Sequence, residues 1–432
     1  MKIMPHALIA LSAAVMAVNA QADSFREALQ GGKISGELRN AITQSSHTDA
    51  WAEAGAVNNN STGNTALRID YATAAYKGLS FGVGFQTSWD WGLQDKDTGR
   101  AFGGGDGEDD TRNTIHATDM VQGYMNYAFD PASTKTNIRL GRQKIVSPLL
   151  MNSGAWPMQD SFDAVVINNQ DLPGTSISAI AVNSWNTRFG ASADAATSND
   201  KHYDNPVMSL YLTNKSVDGL TVELQWLSND NDETIGDGPV AVGSKGPYVT
   251  TFAGFDYNLG DYTVSAKYLT SDFDEDSNTE GTNVWGVQGK AKVGGVTLQL
   301  AHTQVGDDAN FPGTLGHVPQ FRSYNNTTID CDLYAGLGTT VVSAAHGLGV
   351  EGLMAQASYA MWSQSDEGQA ASGTDFDGGY ELAIDLQYKV PSVPGLSTRL
   401  QLSQMEFGET AGASRGDENA LTYGKLGVNY AF

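Results

Sequence analysis

One cysteine, Cys331, stands in 432 residues, so no disulfide can form within the chain and something other than cystine must hold it together. Beyond the first twenty or so residues there is no uninterrupted apolar run of about 18 that could span a bilayer as a helix. Basic charge is scarce: 25 Lys plus Arg stand against 49 Asp plus Glu. That balance argues against nucleic acid or an anionic lipid surface as the principal partner, because both call for a basic face. The seven histidines are scattered with no pair at metal-ligand spacing, and no G-x-S-x-G or Walker pattern occurs. No cofactor is implied. An enzymatic dyad formed only in space, such as His302 with a loop acid, is the remaining catalytic alternative.

What is present begins with an export signal. Lys2 supplies the positive start, Ala7 to Val18 the apolar stretch and Ala20-Gln21-Ala22 a small-x-small cleavage site. Residues 1–22 are therefore expected to be removed, and removing 22 from 432 leaves a single domain of 410, 23–432. If that domain crosses a membrane, it does so as strands. A hydrophobic content of 40% and a mean hydropathy of −0.30 would also suit a soluble protein, so pattern has to arbitrate.

Turn signals recur at Lys77-Gly78, Pro173-Gly174, Asp218-Gly219, Leu259-Gly260, Gly294-Gly295, Glu351-Gly352 and Pro394-Gly395, each flanked by alternating segments. Between the resulting hairpins lie long polar stretches such as 92–116, 228–246 and 306–338. Short turns at one end and long loops at the other are the signature of a transmembrane antiparallel up-and-down β-barrel of the Gram-negative outer membrane. A water-soluble β-sandwich is the competing fold. Counting segments predicts eighteen strands, with sixteen as the alternative if the poorly alternating stretch Thr339 to Val350 is helical.

Alternation sets the wall's orientation. Phe81, Val83, Phe85, Trp89 and Trp91 share one face, as do Tyr380, Leu382, Ile384, Leu386 and Tyr388, and these faces are expected to meet lipid. The last strand puts Leu426, Val428, Tyr430 and the terminal Phe432 on one face. A terminal aromatic of this kind resembles the signal read by the barrel-assembly machinery. Inward parity is expected for Glu37, Arg39, Arg68, Asp70, Arg139, Lys267, Asp385 and Arg399, because a charge at the bilayer midplane costs about 2–4 kcal/mol. These are the candidates for pore lining and selectivity. Arg142 joins them only if Gly141 marks a bulge, since it shares parity with Ile138 and Leu140.

The run Arg139-Leu140-Gly141-Arg142-Gln143, then Ser147-Pro148-Leu149-Leu150 and Pro157-Met158-Gln159-Asp160-Ser161-Phe162, resembles the OprD-type specific porins. The resemblance implies eighteen strands, a constriction loop folded inward near 147–159, and a row of arginines on the wall, here Arg39, Arg68, Arg139, Arg142 and Arg399. It also leaves a homotrimer among the assemblies allowed. Where such porins usually place an Asp and an Arg in the loop, this chain has Ser153-Gly154-Ala155-Trp156, which departs from carboxylate or amino-acid specificity. Acidic loops carry loose divalent-cation candidates, Asp106, Asp109, Asp110, Asp274 and Asp276, without an EF-hand pattern. They would tie the loops to lipopolysaccharide phosphates. The expected function is passive diffusion of small hydrophilic solutes or ions with weak cation preference; the alternative is a barrel acting as an adhesin or envelope protein.

Overall fold

The computed structural model describes residues 22–47, 59–91, 117–152, 158–187, 201–231, 247–274, 280–311, 315, 334–373, 375–406 and 420–432. The expected signal segment, all but Ala22, lies outside them, as do Cys331, Asp106, Asp109, Asp110 and Asp276.

A short helix α1 (Phe25–Gln30) precedes eighteen strands: β1 (Lys33–His47), β2 (Asn59–Ala72), β3 (Leu79–Asp90), β4 (Ala117–Ala128), β5 (Thr136–Gln143), β6 (Ser161–Asn169), β7 (Thr175–Asn186), β8 (Lys201–Asn214), β9 (Leu220–Asn229), β10 (Tyr248–Asn258), β11 (Tyr262–Phe273), β12 (Thr282–Val293), β13 (Val296–Val305), β14 (Leu337–His346), β15 (Leu353–Gln364), β16 (Tyr380–Lys389), β17 (Leu396–Glu406) and β18 (Ala420–Ala431), with a helix α2 (Asp366–Ser372) between β15 and β16. Every strand pairs antiparallel with its neighbours in sequence, and β1 closes on β18. Closure leaves no unpaired edge, which is how strands alone can satisfy their backbone groups in lipid. The uncertain segment near residue 340 is the strand β14, so eighteen is the count.

Connections at one end run two to seven residues and at the other eight to thirty-one. All of the short ends but the β4–β5 connection, 129–135, turn through glycine in the left-handed region. At Gly395 φ is +87° and an added Cβ would sit 2.0 Å from the Ala431 carbonyl oxygen, so this turn between β16 and β17 is open only to a residue without a side chain. Gly395→Ala is expected to cost the barrel about 1–3 kcal/mol, read as a lower temperature for loss of its folded mobility on semi-native gels; an unchanged temperature would contradict the clash.

The expected lipid face is the exposed one. Val83, Phe85 and Trp89 on β3, Leu382 and Ile384 on β16, and Leu426, Tyr430 and Phe432 at the C-terminus are all exposed, while their alternates Gln86, Ser88, Glu381 and Asp385 are buried. Phe432 exchanges two backbone hydrogen bonds with Gly36 (2.9 and 3.0 Å), extending the seam by one residue. The interior is less uniformly wet than alternation suggests. A buried apolar cluster on inward positions runs from Phe162 and Trp185 through Leu227, Phe252 and Val305 to Trp362 and Met405. It is there because two loops fold into the lumen and need an apolar surface to pack on.

Candidate pore constriction

β5 leaves the wall after Gln143, and the chain turns inward. Ile145, Leu149, Leu150 and Met158 are buried within the barrel. A tight reversal forms where the Ser147 N–H donates to the Leu150 carbonyl (2.7 Å) and the Asn152 N–H to that of Ile145 (2.8 Å). The inserted segment is held at both ends by glutamines of the wall. On β3, Gln86 donates to the Gln159 carbonyl (2.8 Å) and accepts from the Gln159 N–H (2.9 Å). On β9, Gln225 accepts from the Leu149 N–H (2.9 Å) and donates to the Ser147 hydroxyl (3.0 Å). These side chains supply backbone partners that the segment lost on leaving the sheet. Of the stretch 147–159, the described residues 147–152, 158 and 159 are folded inward, and 153–157 lie outside the described part.

A second segment enters from the β13–β14 connection. Leu315 pairs with Leu150 as a parallel bridge: the Met151 N–H donates to the Leu315 carbonyl (3.0 Å), and the Leu315 N–H donates to that of Leu149 (3.2 Å). Phe311, Leu315, Leu149 and Leu150 are each at most 1% exposed. The lumen is thus narrowed by two mutually paired inserts.

Beside them the wall carries charge. On β1 and β2, Glu37 accepts from Arg39 Nε (2.6 Å) and from the Arg68 guanidinium, which is only 4% exposed. Asp70 accepts from Lys144 Nζ (2.9 Å) and from Gln122 Nε2 of β4 (2.7 Å). Lys144 is the first residue of the insert, so this ion pair ties the loop's root to β2. Burial holds the Lys144 ammonium below the ordinary lysine range, against the opposing pull of Asp70. On β5, Arg139 lies 4.4 Å over the Tyr124 ring, a cation–π contact. Arg399 of β17 donates to both oxygens of buried Asp385 on β16, from Nε (2.9 and 3.2 Å) and from one terminal nitrogen (2.7 Å). Lys267 of β11 shares the inward parity of buried Ser265 and Leu269 and pairs in register with Gly254 and Gly286. Arg39, Arg68 and Asp70 thus gather at the root of the insert through Glu37 and Lys144; Arg139 with Tyr124, Arg399 with Asp385, and Lys267 stand elsewhere on the inner wall.

Arg142 is placed differently. No register shift accompanies Gly141 in either pairing of β5, although its φ is +114°, so Arg142 keeps the parity of exposed Leu140. Its guanidinium fills the seam that opens between β4 and β6 as β5 departs. It donates to both oxygens of Asp163 (2.9 and 3.0 Å), to the Met120 carbonyl (3.2 Å) and weakly to Asp119 (3.4 Å). The carbonyl of Met120 is available because Val121 is an extra residue opposite β3, a bulge.

The spacing of charges along strands gave no sign of Lys144, Gln86, Gln122, Gln225 or Asp163 as a set, because their partners lie on other elements. His302 rests against exposed Trp285 (5.3 Å between rings) and Thr340 (2.9 Å) on outward parity, away from the lumen. Asp274 is described, and no group of three His, Cys, Asp or Glu able to hold a metal occurs among the described residues.

No family model matches the chain, and no curated protein does. Solved structures do. OccAB1 of Acinetobacter baumannii superposes with a TM-score of 0.72 at 12% identity over 96% of this chain and 99% of that one. OpdO of Pseudomonas aeruginosa gives 0.69 at 13% over 94% and 98%, and Pseudomonas aeruginosa OpdK with vanillate gives 0.67 at 15% over 94% and 99%. The chain has the eighteen-stranded barrel fold of the OprD/Occ porins.

Proposed function

We propose that the protein is an outer-membrane diffusion channel for small hydrophilic solutes. The reading is carried by one observation: a closed barrel whose interior holds a wall of paired charges beside an inserted loop, Lys144 to Asp160, anchored at both ends. A barrel serving only as an adhesin has no use for an internal filter. The likeness to porin structures across nearly the whole chain supports the same reading.

Arg39, Arg68 and Lys144 stand together at the root of the insert, with Arg139 five residues before Lys144 on β5, so a solute with a carboxylate would be guided along them by successive charge-assisted contacts. OpdK, with vanillate in its solved structure, shows one small carboxylate in a barrel of this fold. The acidic loops at the mouth, in a chain of net charge −24, act oppositely on bulk ions and support weak cation preference. Arg39, Arg68 and Asp70 would set selectivity at the narrows; Arg139, Lys267, Asp385 and Arg399 would line the wider lumen.

Purified protein in planar bilayers should conduct in discrete steps, with a reversal potential showing weak cation preference. Lys144→Met should move that potential further toward cations, since Asp70 then stands with Gln122 but without its ammonium. The pH dependence has the same sign. Lys144 loses its proton at lower pH than an exposed lysine, so raising pH from neutral should shift wild type toward cations before the exposed lysines titrate. The shift should be smaller in Lys144→Met; an identical titration in both would contradict a role for this residue.

A further inference from the structure

The helix α1 lies outside the barrel at the short-turn end, and we infer that it is an interfacial anchor lying in the phospholipid leaflet that surrounds that end. Three contacts place it. The Ala74 N–H, just beyond β2, donates to the Ala28 carbonyl (3.0 Å), with both alanines buried against each other's chains. The Tyr71 hydroxyl donates to the Leu29 carbonyl. The Phe25 ring meets that of Phe81 edge-on at 6.2 Å. Tyr71 and Phe81 have the parity of exposed Ile69 on β2 and exposed Val83 and Phe85 on β3, so the helix sits on the wall's lipid-facing side.

The helix is two-sided: Arg26, Glu27 and Gln30 are exposed on its polar side, and its other side keeps an open apolar face. Phe25 and Leu29, four residues apart and hence on one face, are 50% and 44% exposed, and Ile34 just beyond is 68% exposed. Water would gain nothing from this arrangement, but the patch continues the outward apolar band without a break, and an amphipathic helix in that position buries such a face at the boundary of headgroups and acyl chains. Charge agrees with the same occupant. In a chain with nearly twice as many acids as bases, the exposed cations Arg26 of the helix, Lys33 opening β1 and Lys77 in the β2–β3 turn here outnumber the exposed acids of the helix segment, Asp23 and Glu27, at the level where phosphate headgroups lie.

The test uses the full chain with Cys331→Ser, one nitroxide at Leu29→Cys, and vesicles of phosphatidylethanolamine and phosphatidylglycerol. Accessibility to oxygen and to a water-soluble nickel complex is compared with labels at Leu300→Cys on the exposed wall and Val217→Cys in a turn. The inference requires the Leu29 label to favour oxygen, as at Leu300. Nickel-dominated accessibility like that at Val217 would overturn it, and so would dipolar broadening between labels, which would assign the patch to a second copy. A label at Phe25→Cys repeats the measurement if the first variant does not reach the heat-modifiable folded form.

Discussion

Replacing residues 146–158 by a short glycine–serine linker should raise single-channel conductance severalfold. The described part of that stretch, 146–152 with Met158, is folded inside the barrel, and its removal takes with it Leu149 and Leu150, on which the second insert rests through Leu315. The barrel should survive, because every strand pairing is independent of the segment. It will be less stable, however. Gln225 would lose the Leu149 N–H and the Ser147 hydroxyl, at about 1–3 kcal/mol for a buried group left unsatisfied. A milder form separates occlusion from stability. Leu150→Asp places a carboxylate at a position with no exposure and should undock both inserts, giving larger and noisier openings without a change in length. If conductance in the deletion equals wild type, the segment does not limit the pore.

Arg142→Ala should destabilise the barrel by about 2–4 kcal/mol while leaving its conductance and selectivity nearly unchanged. The figure sits below that for a fully buried pair, about 3–5 kcal/mol, because the side chains of Arg142 and Asp163 retain 21% and 34% exposure. The loss is more than one ion pair: Asp163, which also accepts from Ser184 (2.7 Å), would keep its charge without the fork, and the Met120 carbonyl would open to the seam. Arg142→Lys should recover little, since an ammonium cannot reach both Asp163 oxygens and Met120 together. Unfolding by urea of protein in micelles gives the stability; planar bilayers give the conductance. A large selectivity change in Arg142→Ala would place this arginine in the filter rather than the wall.

Much of the barrel is legible from residue order because lipid imposes a strict rule on one face of every strand. On β3 the exposed Val83, Phe85 and Trp89 alternate with small or polar residues, and nothing else competes with that pattern. β14 reads poorly for a physical reason: its inward Val341 is buried against Ala301 and Ala360 of the flanking strands, so both faces are apolar or small and alternation fades. The same apolar interior explains why an evenly wet lumen is not what the fold contains.

The constriction is only half legible. The wall charges follow from parity, as Arg39, Arg68 and Asp70 show. Their use depends on the path of the loop, which brings Lys144 to Asp70 and Gln159 to Gln86 across 74 and 73 residues of chain. No local pattern encodes such contacts. Arg142 illustrates the converse: parity alone marked it as discordant, and the departure of β5 from the wall, which makes room for it, is a tertiary event.

Single-channel recording of the purified, heat-modifiable protein in planar bilayers bears most directly on the central claim. A narrowed, charge-lined barrel predicts discrete, ohmic openings that appear on insertion of the wild-type protein. Folded protein that inserts into the bilayer and leaves its conductance unchanged would contradict the channel reading.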